Sequence, residues 1–422
     1  MKSTTARLVS HIPRPQSYIV ASKRTPFGAF GGKLKEFKAS ELGGIAGKAA
    51  LADLPSEVQV DQVFFGNVTQ TDNSTPYLAR HVGHLSGLGP TACPNPSYLD
   101  EPKLTRFPDR LCGSGFQTAI NAVQTISLSE ADVCLTGGTE AMSMSPYTLS
   151  GLTRYGTRYG VNLVQEDSLA AALTDQNPGG EKTPMGMTAE NLAKKYNITR
   201  DECDAYALMS QTRYAEALSS GAFSSELTSI PLKPLKSIPQ SISSDEHPRP
   251  QTTLSSLSKL PSVFIPKTGV VTAGNASGIC DGAAANVIMS ENAVKKWGVE
   301  PLVRVAGYGW SACEPEIMGI GPVVSVREAL KKAGRGLGDM DIIELNEAFA
   351  AQWLAVQKEL ELPTEKTNIF GGAIALGHPL AASGARILGN LSHNLHRMDK
   401  KWALGAACIG GGQGIAVVLE RC

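Results

Sequence analysis

The stretch Leu111–Phe116, which reads LCGSGF, places a cysteine at the start of a predicted helix. Apolar residues recur at helical spacing through Phe116–Ser129. A helix N-terminus offers unpaired N–H groups and a partial positive charge, and both stabilise a thiolate. We therefore expect Cys112 to become a nucleophile near neutral pH, with Gly113 and Gly115 leaving room for another group beside its sulfur. A buried structural cysteine is the alternative that this stretch alone leaves open.

The sequence around this stretch alternates predicted strands with predicted helices. The strands are expected at 17–21, 60–68, 131–137, 341–345, 403–408 and 415–419, and the helices at 39–52, 76–85, 188–196, 200–219, 347–358 and 383–394. Such alternation indicates an α/β sheet with helices on both faces, and two halves of similar length suggest an internal duplication. Residues 148–261 are richer in Ser, Thr, Pro and charge, and predict an inserted, mostly helical lobe with a loop at 231–250.

Composition narrows the class of protein. A chain of 422 residues predicts two or three domains, and a formal net charge of zero gives no overall basic excess for binding nucleic acid. Eight cysteines without a C-x-x-C pair argue against a zinc site and a disulfide framework, so we expect reduced thiols and no bound metal. His81 and His84 are interpreted as helix residues. No apolar run approaches the roughly 20 residues that cross a bilayer.

The ends of the chain bear on location. Residues 1–35 contain no acidic residue but several Lys, Arg, Ser and Thr, which is typical of a short organellar import segment. A frayed tail is the alternative. The last three residues, Glu420–Cys422, differ from a Ser-Lys-Leu peroxisomal ending.

Three further stretches follow predicted strands in the second half of the chain. They are NEAF at Asn346–Phe349, GGAIALGHP at 371–379, and CIGGGQG at Cys408–Gly414. Because ligands gather at the carboxyl ends of strands in α/β sheets, we expect these stretches to meet Cys112 at one site. Singly, each residue has a structural explanation: His378 as a loop histidine, Asn346 as a helix cap, and Cys408 as a buried strand residue.

Taken together, LCGSG, NEAF, GHP and CIGGGQG resemble the thiolase family, as do TGGTEAM at 136–142 and NASGICDGAA at 275–284. The resemblance runs from about residue 17 to 420, and the wording at 166–176 and 187–193 is most similar to the mitochondrial 3-ketoacyl-CoA branch. It implies two duplicated βαβαβαββ halves that form a five-layer αβαβα sandwich, plus an inserted, mostly helical loop domain. The implied domains are 17–147 with 262–293 (N-terminal), 148–261 (loop) and 294–422 (C-terminal).

The resemblance also implies a reaction, the CoA-dependent cleavage of a 3-ketoacyl-CoA through an acyl-cysteine. Cys112 would be the nucleophile and His378 the base that takes its proton, because imidazole titrates in a suitable range. Cys408 would protonate the departing enolate, with a thiol pKa not far above neutrality, and then act as base for CoA. One oxyanion site would consist of His378 and a water held by Asn346, and the other of the N–H groups of Cys112 and Gly410.

Coenzyme A enters as a co-substrate, and no tightly bound cofactor is implied. By resemblance, Ala273 and Ser277 would meet its pantetheine arm, Arg249 and Ser256 its nucleotide, and Met185 would form a wall of the acyl tunnel. The implied assembly is a homodimer or homotetramer. The implied location is the mitochondrial matrix, with the cytoplasm as the alternative and the peroxisome disfavoured by the C-terminus.

The sequence departs from the family ahead of the nucleophile. Residues 91–110 run about a dozen residues longer than the resemblance implies, Pro108 falls where a central strand is expected, and Asp109 replaces an Asn. A tolerated insertion that re-enters the sheet late is favoured over a strained site. Cys280 is a second, milder departure. Pro184 stands where short-chain biosynthetic thiolases carry a histidine, which favours the degradative branch.

Three other functions remain as alternatives. An acetoacetyl-CoA thiolase would differ in its chain-length profile. A decarboxylating ketosynthase would carry a second histidine at the position of Asn346. A catalytically impaired acyl-CoA-binding protein would keep the fold, but the complete set of Cys112, His378 and Cys408 argues against it.

Overall fold

A computed structural model describes residues 15–89, 105–106, 109–159, 163–176, 182–235 and 238–422. Most of the predicted import segment and most of the long 91–110 stretch lie outside these residues. Within them, no helix is long and apolar enough to cross a membrane.

Most predicted elements are present, with adjusted ends. The strands are β1 (Ser17–Arg24), β2 (Gly28–Ala29), β3 (Gln62–Gly66), β4 (Thr105–Arg106), β5 (Val133–Ala141), β6 (Tyr147–Leu149), β7 (Gln165–Asp167), β8 (Ile230–Leu235), β9 (Ile238–Ile242), β10 (Cys280–Ser290), β11 (Val303–Ala312), β12 (Ile342–Leu345), β13 (Trp402–Ile409) and β14 (Gln413–Arg421). The helices are α1 (Ala39–Leu51), α2 (Leu78–Leu85), α3 (Ser114–Ser127), α4 (Ser168–Ala172), α5 (Met185–Tyr196), α6 (Arg200–Ser219), α7 (Leu254–Ser258), α8 (Glu291–Trp297), α9 (Pro322–Ala333), α10 (Ala350–Leu360), α11 (Ala373–Leu376) and α12 (Leu380–Arg397).

The two halves of the main sheet have the same topology. Its order is β12-β13-β14-β11-β1-β10-β5-β3-β4, with a short antiparallel junction between β1 and β11. In the first half, β4, β3 and β5 are parallel, and β10 and β1 are antiparallel to their neighbours. In the second half, β12 and β13 are parallel, β14 and β11 are antiparallel, and Thr367 bridges to Ile343 where β4 would correspond. The sequence-level prediction of a duplication is thereby confirmed.

Two half-sheets, a central helix layer and two outer helix layers form five layers. Their described core residues fall into one central cluster and two outer clusters. Phe116 of α3 and Leu388 of α12 lie in the central cluster between the two half-sheets. Leu42 of α1 belongs to the cluster on the outer face of the first half-sheet, and Trp353 of α10 to the cluster outside the second. Because strand side chains alternate between faces, each half-sheet supplies apolar side chains to two clusters.

Helices α3 and α12 cross at very short range. A Cβ on Gly115 would lie 2.4 Å from the backbone nitrogen of Ala385, and one on Gly113 would lie 2.4 Å from a side-chain carbon of Ile409. These contacts show what the glycines do for packing, and the prediction that they also leave room beside the sulfur stays a prediction. The glycines allow the central helix of one half to pack against the backbone and side chains of the other.

The inserted region is less helical than predicted. Residues 231–250, predicted as loop, contribute to an antiparallel β8–β9 hairpin, and β6 pairs with β7 in a second small sheet. Helix α5 begins at Met185, and α10 begins at Ala350 rather than 347, because Phe349 is extended and bridges to Ala276. His81 and His84 lie in α2 as predicted. The domain boundaries stay a prediction.

Ahead of Cys112, Thr105 and Arg106 form β4, which pairs in parallel with Val63 and Phe64 of β3. β4 lies at the edge of the described sheet, while Pro108, where a central strand is expected, lies outside the described residues. An edge strand has a weaker need for a complete hydrogen-bond ladder than a central one. The predicted insertion lies mostly outside the described residues and stays a prediction.

Candidate active site

One cavity of about 340 Å³ collects most of the predicted site residues. Cys112, His378, Cys408 and Gly410 line it, together with three of the predicted CoA contacts: Met185, Ala273 and Ser277. Most of the remaining wall is apolar, with Phe264 and Phe349 as its aromatic members. The two halves of the fold and the inserted region thus enclose a space that suits an apolar ligand with a few polar groups.

Cys112 lies on a tight turn that leads into α3. The turn spans Leu111–Gly113, and Leu111 has a φ of 47°. The Oγ of Ser114 accepts a bond from the N–H of Arg110 (2.9 Å) and donates one to the carbonyl of Leu111 (2.8 Å). These bonds present the cysteine at the mouth of the helix, as predicted.

The pKa of Cys112 differs from the prediction. Burial raises it to about 12, and the carboxylates of Glu140 and Asp109 add to the shift, although the N–H groups of Gly410 and Cys112 oppose it. Loss of hydration outweighs the helix terminus here. The isolated side chain is therefore a thiol near neutral pH, and it needs a base.

The hydrogen bonds of His378 define its tautomer. Ser383 Oγ donates to the carbonyl of Pro379 (3.1 Å), so it accepts from Nδ1–H of His378 at 2.6 Å. The lone pair then lies on Nε2, which is 3.4 Å from Nδ2 of Asn346. Burial lowers the pKa of His378 to about 4, below the predicted range. The imidazole is neutral and able to accept a proton at Nε2.

Asn346 directly follows β12 and helps to hold the His378 ring in this orientation. Its backbone N–H donates to the carbonyl of Ala406 (2.8 Å), and its buried Oδ1 has no protein partner in the described part of the chain.

The neighbouring Glu347 accepts bonds from Tyr206 (2.6 Å), Ser210 (2.7 Å) and the N–H of Ile374 (3.1 Å). The sequence prediction missed Glu347, although a carboxylate directly after a buried strand could have revealed it.

Cys408 is the next-to-last residue of β13 and is buried. Burial raises its pKa well above the ordinary value, and the nearby thiolate form of Cys112 would raise it further. The expectation of a thiol pKa not far above neutrality is therefore wrong. Two residues later, the N–H of Gly410 donates to the sulfur of Cys112. The strand and its glycine turn thus bring a second thiol and an N–H donor to the nucleophile.

Glu140, at the end of β5, is a second carboxylate that the sequence prediction missed. It accepts bonds from Thr69 Oγ1 (2.5 Å), Asn67 Nδ2 (2.9 Å) and the N–H of Ala381 (3.0 Å). Burial raises its pKa to about 7. Through these bonds it connects the first half of the fold to the start of α12, close to His378.

The remaining predicted CoA contacts lie outside the cavity. Arg249 and Ser256 are exposed, and Ser256 forms a capping box with Thr253 at the start of α7. Helix α7 still packs near the cavity wall, since a Cβ on Gly274 would lie 2.5 Å from Leu257. In the described residues, no group of three or more His, Cys, Asp or Glu side chains could hold a metal ion.

Comparison with known proteins identifies the class. Residues 17–292 match the family model "Thiolase, N-terminal domain", and residues 299–421 match "Thiolase, C-terminal domain". The chain belongs to the thiolase family, has the thiolase fold, and is an acyltransferase of that class.

Individual relatives give a finer comparison. The chain is 54% identical over 406 residues to the mouse protein "3-ketoacyl-CoA thiolase, mitochondrial", covering 96% of this chain and 98% of that one. It is 44% identical over 405 residues to an acetyl-CoA acetyltransferase of Escherichia coli, with the same coverages. The crystal structure of human mitochondrial 3-ketoacyl-CoA thiolase in complex with CoA superposes with a TM-score of 0.88 at 51% identity, covering 97% of this chain and 98% of that one.

Proposed function

We propose that this thiolase cleaves 3-ketoacyl-CoA with free CoA, giving acetyl-CoA and an acyl-CoA shortened by two carbons. The observation that carries the proposal is the convergence of Cys112, His378 and Cys408 on one largely apolar cavity. A ketone carbon must meet a nucleophile, a base and an acid within bonding reach, and the cavity provides all three kinds of group. The same groups run the reaction backwards to form a carbon–carbon bond.

In the first half-reaction, His378 Nε2 takes the thiol proton of Cys112, and the sulfur attacks the ketone carbon. The C2–C3 bond then breaks, so that the acyl group stays on sulfur and the acetyl-CoA enolate leaves. The Cys408 thiol donates its proton to that enolate. A raised pKa suits this role because it keeps Cys408 protonated until a strong base appears.

In the second half-reaction, the Cys408 thiolate takes the proton of an incoming CoA thiol. The CoA sulfur attacks the acyl-cysteine, and the Cys112 sulfur leaves and recovers its proton from His378. The N–H groups of Cys112 and Gly410 would stabilise the oxyanion on the reacting carbon. Asn346 and His378 would stabilise the enolate oxygen, and the partnerless Oδ1 of Asn346 is suited to hold a water there.

The CoA contacts form part of the proposal. Ala273, Ser277 and Met185 would surround the pantetheine arm and the acyl chain, while the exposed Arg249 and Ser256 would meet the nucleotide outside the cavity. The human relative is described in complex with CoA, which supports CoA as a ligand of this fold. We further propose a mitochondrial role in fatty acid β-oxidation, since the mouse relative is named as mitochondrial, and a homodimeric or homotetrameric assembly.

Turnover tests the proposal. Purified protein is given CoA with either acetoacetyl-CoA or 3-ketohexadecanoyl-CoA, and loss of the 3-keto thioester is followed. We expect cleavage, and the ratio of the two rates separates a general degradative enzyme from an acetoacetyl-CoA thiolase. Cys112→Ala should abolish cleavage and retain CoA binding. Turnover by that variant, or none by the unmodified protein, would overturn the proposal.

A further inference from the structure

The two described residues directly before the nucleophile turn, Asp109 and Arg110, pair with no strand. Leu111 then adopts a φ of 47°, in the left-handed region that is strained for a branched side chain. A turn of this kind persists only when its surroundings hold it, so contacts other than a strand ladder must fix Cys112.

The side chain of Arg110 supplies such contacts across the two halves of the fold. Its Nη1 donates to Gln117 Oε1 on α3 (2.6 Å), and its Nε donates to Gln413 Oε1 at the start of β14 (3.2 Å). Its guanidinium carbon lies 5.6 Å from the centre of the Trp310 ring on β11. Trp310 Nε1 donates to the same Gln117 oxygen (3.1 Å), so the contacts form one network.

Gln413 connects Arg110 to the glycine turn that directly precedes β14. The turn just before it carries Gly410, whose N–H donates to the sulfur of Cys112. Arg110 therefore holds the nucleophile turn by its own backbone and the glycine turn by its side chain. Resting on the proposed function, we infer that Arg110 is a positioning residue that sets the N–H groups of Cys112 and Gly410 for the oxyanion.

Two reactions of Cys112 separate this role from general structural support. Acyl transfer from a 3-ketoacyl-CoA passes through an oxyanion and needs both N–H groups. Alkylation by iodoacetamide displaces iodide from carbon, forms the S–C bond directly and develops no oxyanion. Both rates are measured on the same preparation, the first as formation of acyl-enzyme in a single turnover.

Arg110→Met should lower the rate of acyl transfer by about 10- to 100-fold, in the range expected when an oxyanion donor is misplaced. Alkylation should slow by a clearly smaller factor, because it develops no oxyanion and loses only the contact between the Gly410 N–H and the sulfur. Arg110→Lys should behave like Arg110→Met, since one ammonium group cannot reproduce the fork that bridges Gln117 and Gln413.

Lys332 offers a matched control. Its ammonium lies 5.2 Å from the same Trp310 ring and 4.8 Å from the Tyr308 ring, but it has no described contact with the nucleophile turn. Lys332→Met should leave both rates unchanged. Gln413→Met, which removes only the anchor on the glycine turn, gives a second variant in case Arg110→Met fails to fold, and it should show the same split.

The outcomes are distinguishable. Equal slowing of both reactions in the Arg110 and Gln413 variants would mean general distortion and would overturn the inference, as would unchanged acyl transfer. Failure of the unmodified protein to cleave any 3-ketoacyl-CoA would instead refute the proposed function, and the inference with it.

Discussion

Cys112 and His378 are both held in their neutral forms by the same physical cause. Burial raises the pKa of the thiol and lowers that of the imidazole, because each charged form loses hydration. A thiolate then forms only as the proton passes to Nε2 of His378 during attack. The sequence indicated which side chains take part, but hydration depends on the whole cavity wall, and the helix-terminus argument alone predicted the wrong sign for the shift of the Cys112 pKa.

This pairing predicts the pH dependence of alkylation. In the unmodified protein, the rate of inactivation by iodoacetamide should keep rising with pH, by up to about tenfold per unit, from about pH 7 to pH 9. The reason is that the raised pKa of Cys112 leaves it protonated throughout this interval. A rate that levels off with an apparent pKa near 7 or below would instead indicate a stable thiolate–imidazolium pair.

Asp109 offers a test of a single charge. Its Oδ1 accepts the N–H of Leu111 at 3.0 Å, and its carboxylate contributes to the raised pKa of Cys112. Asp109→Asn keeps an acceptor oxygen and removes the charge, so it should lower the Cys112 pKa and speed alkylation at pH 8 by about threefold. Unchanged or slower alkylation would show that this carboxylate has no electrostatic effect on the thiol.

At the scale of elements, the crossing of α3 and α12 brings the nucleophile and His378 together. Amphipathic spacing predicted both helices, and the family motifs predicted that they meet. Neither pattern indicated that the absence of a side chain at Gly115 permits the crossing, because a short sequence pattern does not specify the distance between two helices from opposite halves. The late start of α10 was missed for a similar reason, because a long-range bridge to Ala276 keeps Phe349 extended.

Gly115→Ala should disrupt this crossing. The added methyl would meet the backbone of Ala385 at 2.4 Å and that of Ala381 at 2.7 Å, and backbone atoms cannot move aside cheaply. We expect a loss of about 3 kcal/mol or more in the free energy of unfolding, with reduced cleavage. Gly338→Ala, where nothing lies within 4 Å of the added carbon, should stay close to the unmodified protein. Equal stability of the two variants would contradict the proposed tight crossing.

Glu140 connects β5 to α12, and its titration should appear in stability. Folding raises its pKa from 4.5 to about 7. The folded state therefore binds the proton more tightly, and this contribution is complete below pH 4.5 and lost as the pH rises toward 7.

Glu140→Gln removes that titration. The unfolding free energy of the unmodified protein minus that of the variant should fall between pH 5 and pH 7, by up to about 1.4 kcal/mol per unit. Denaturation at a series of pH values measures it. A difference that is flat or rises over this interval would show that Glu140 is ionised in the folded protein.

At the scale of the whole molecule, the duplication explains the site. The parallel strands of both halves end at the same edge of the molecule. Cys112 therefore comes from the first half, and His378 and Cys408 come from the second. The positions of the motifs directly after predicted strands predicted this gathering. The β8–β9 hairpin of the inserted region was missed because Pro-containing strands such as β8 lack the usual alternation of apolar residues.

The proposed function requires Cys112 to carry the acyl group between two CoA molecules. The most direct measurement is the mass of the protein after brief exposure to a 3-ketoacyl-CoA without free CoA, followed by peptide mapping. We expect an added acyl chain, two carbons shorter than the substrate chain, on the peptide containing Cys112, and its removal when CoA is added. No adduct, an adduct on Cys408, or an unshortened chain would contradict it.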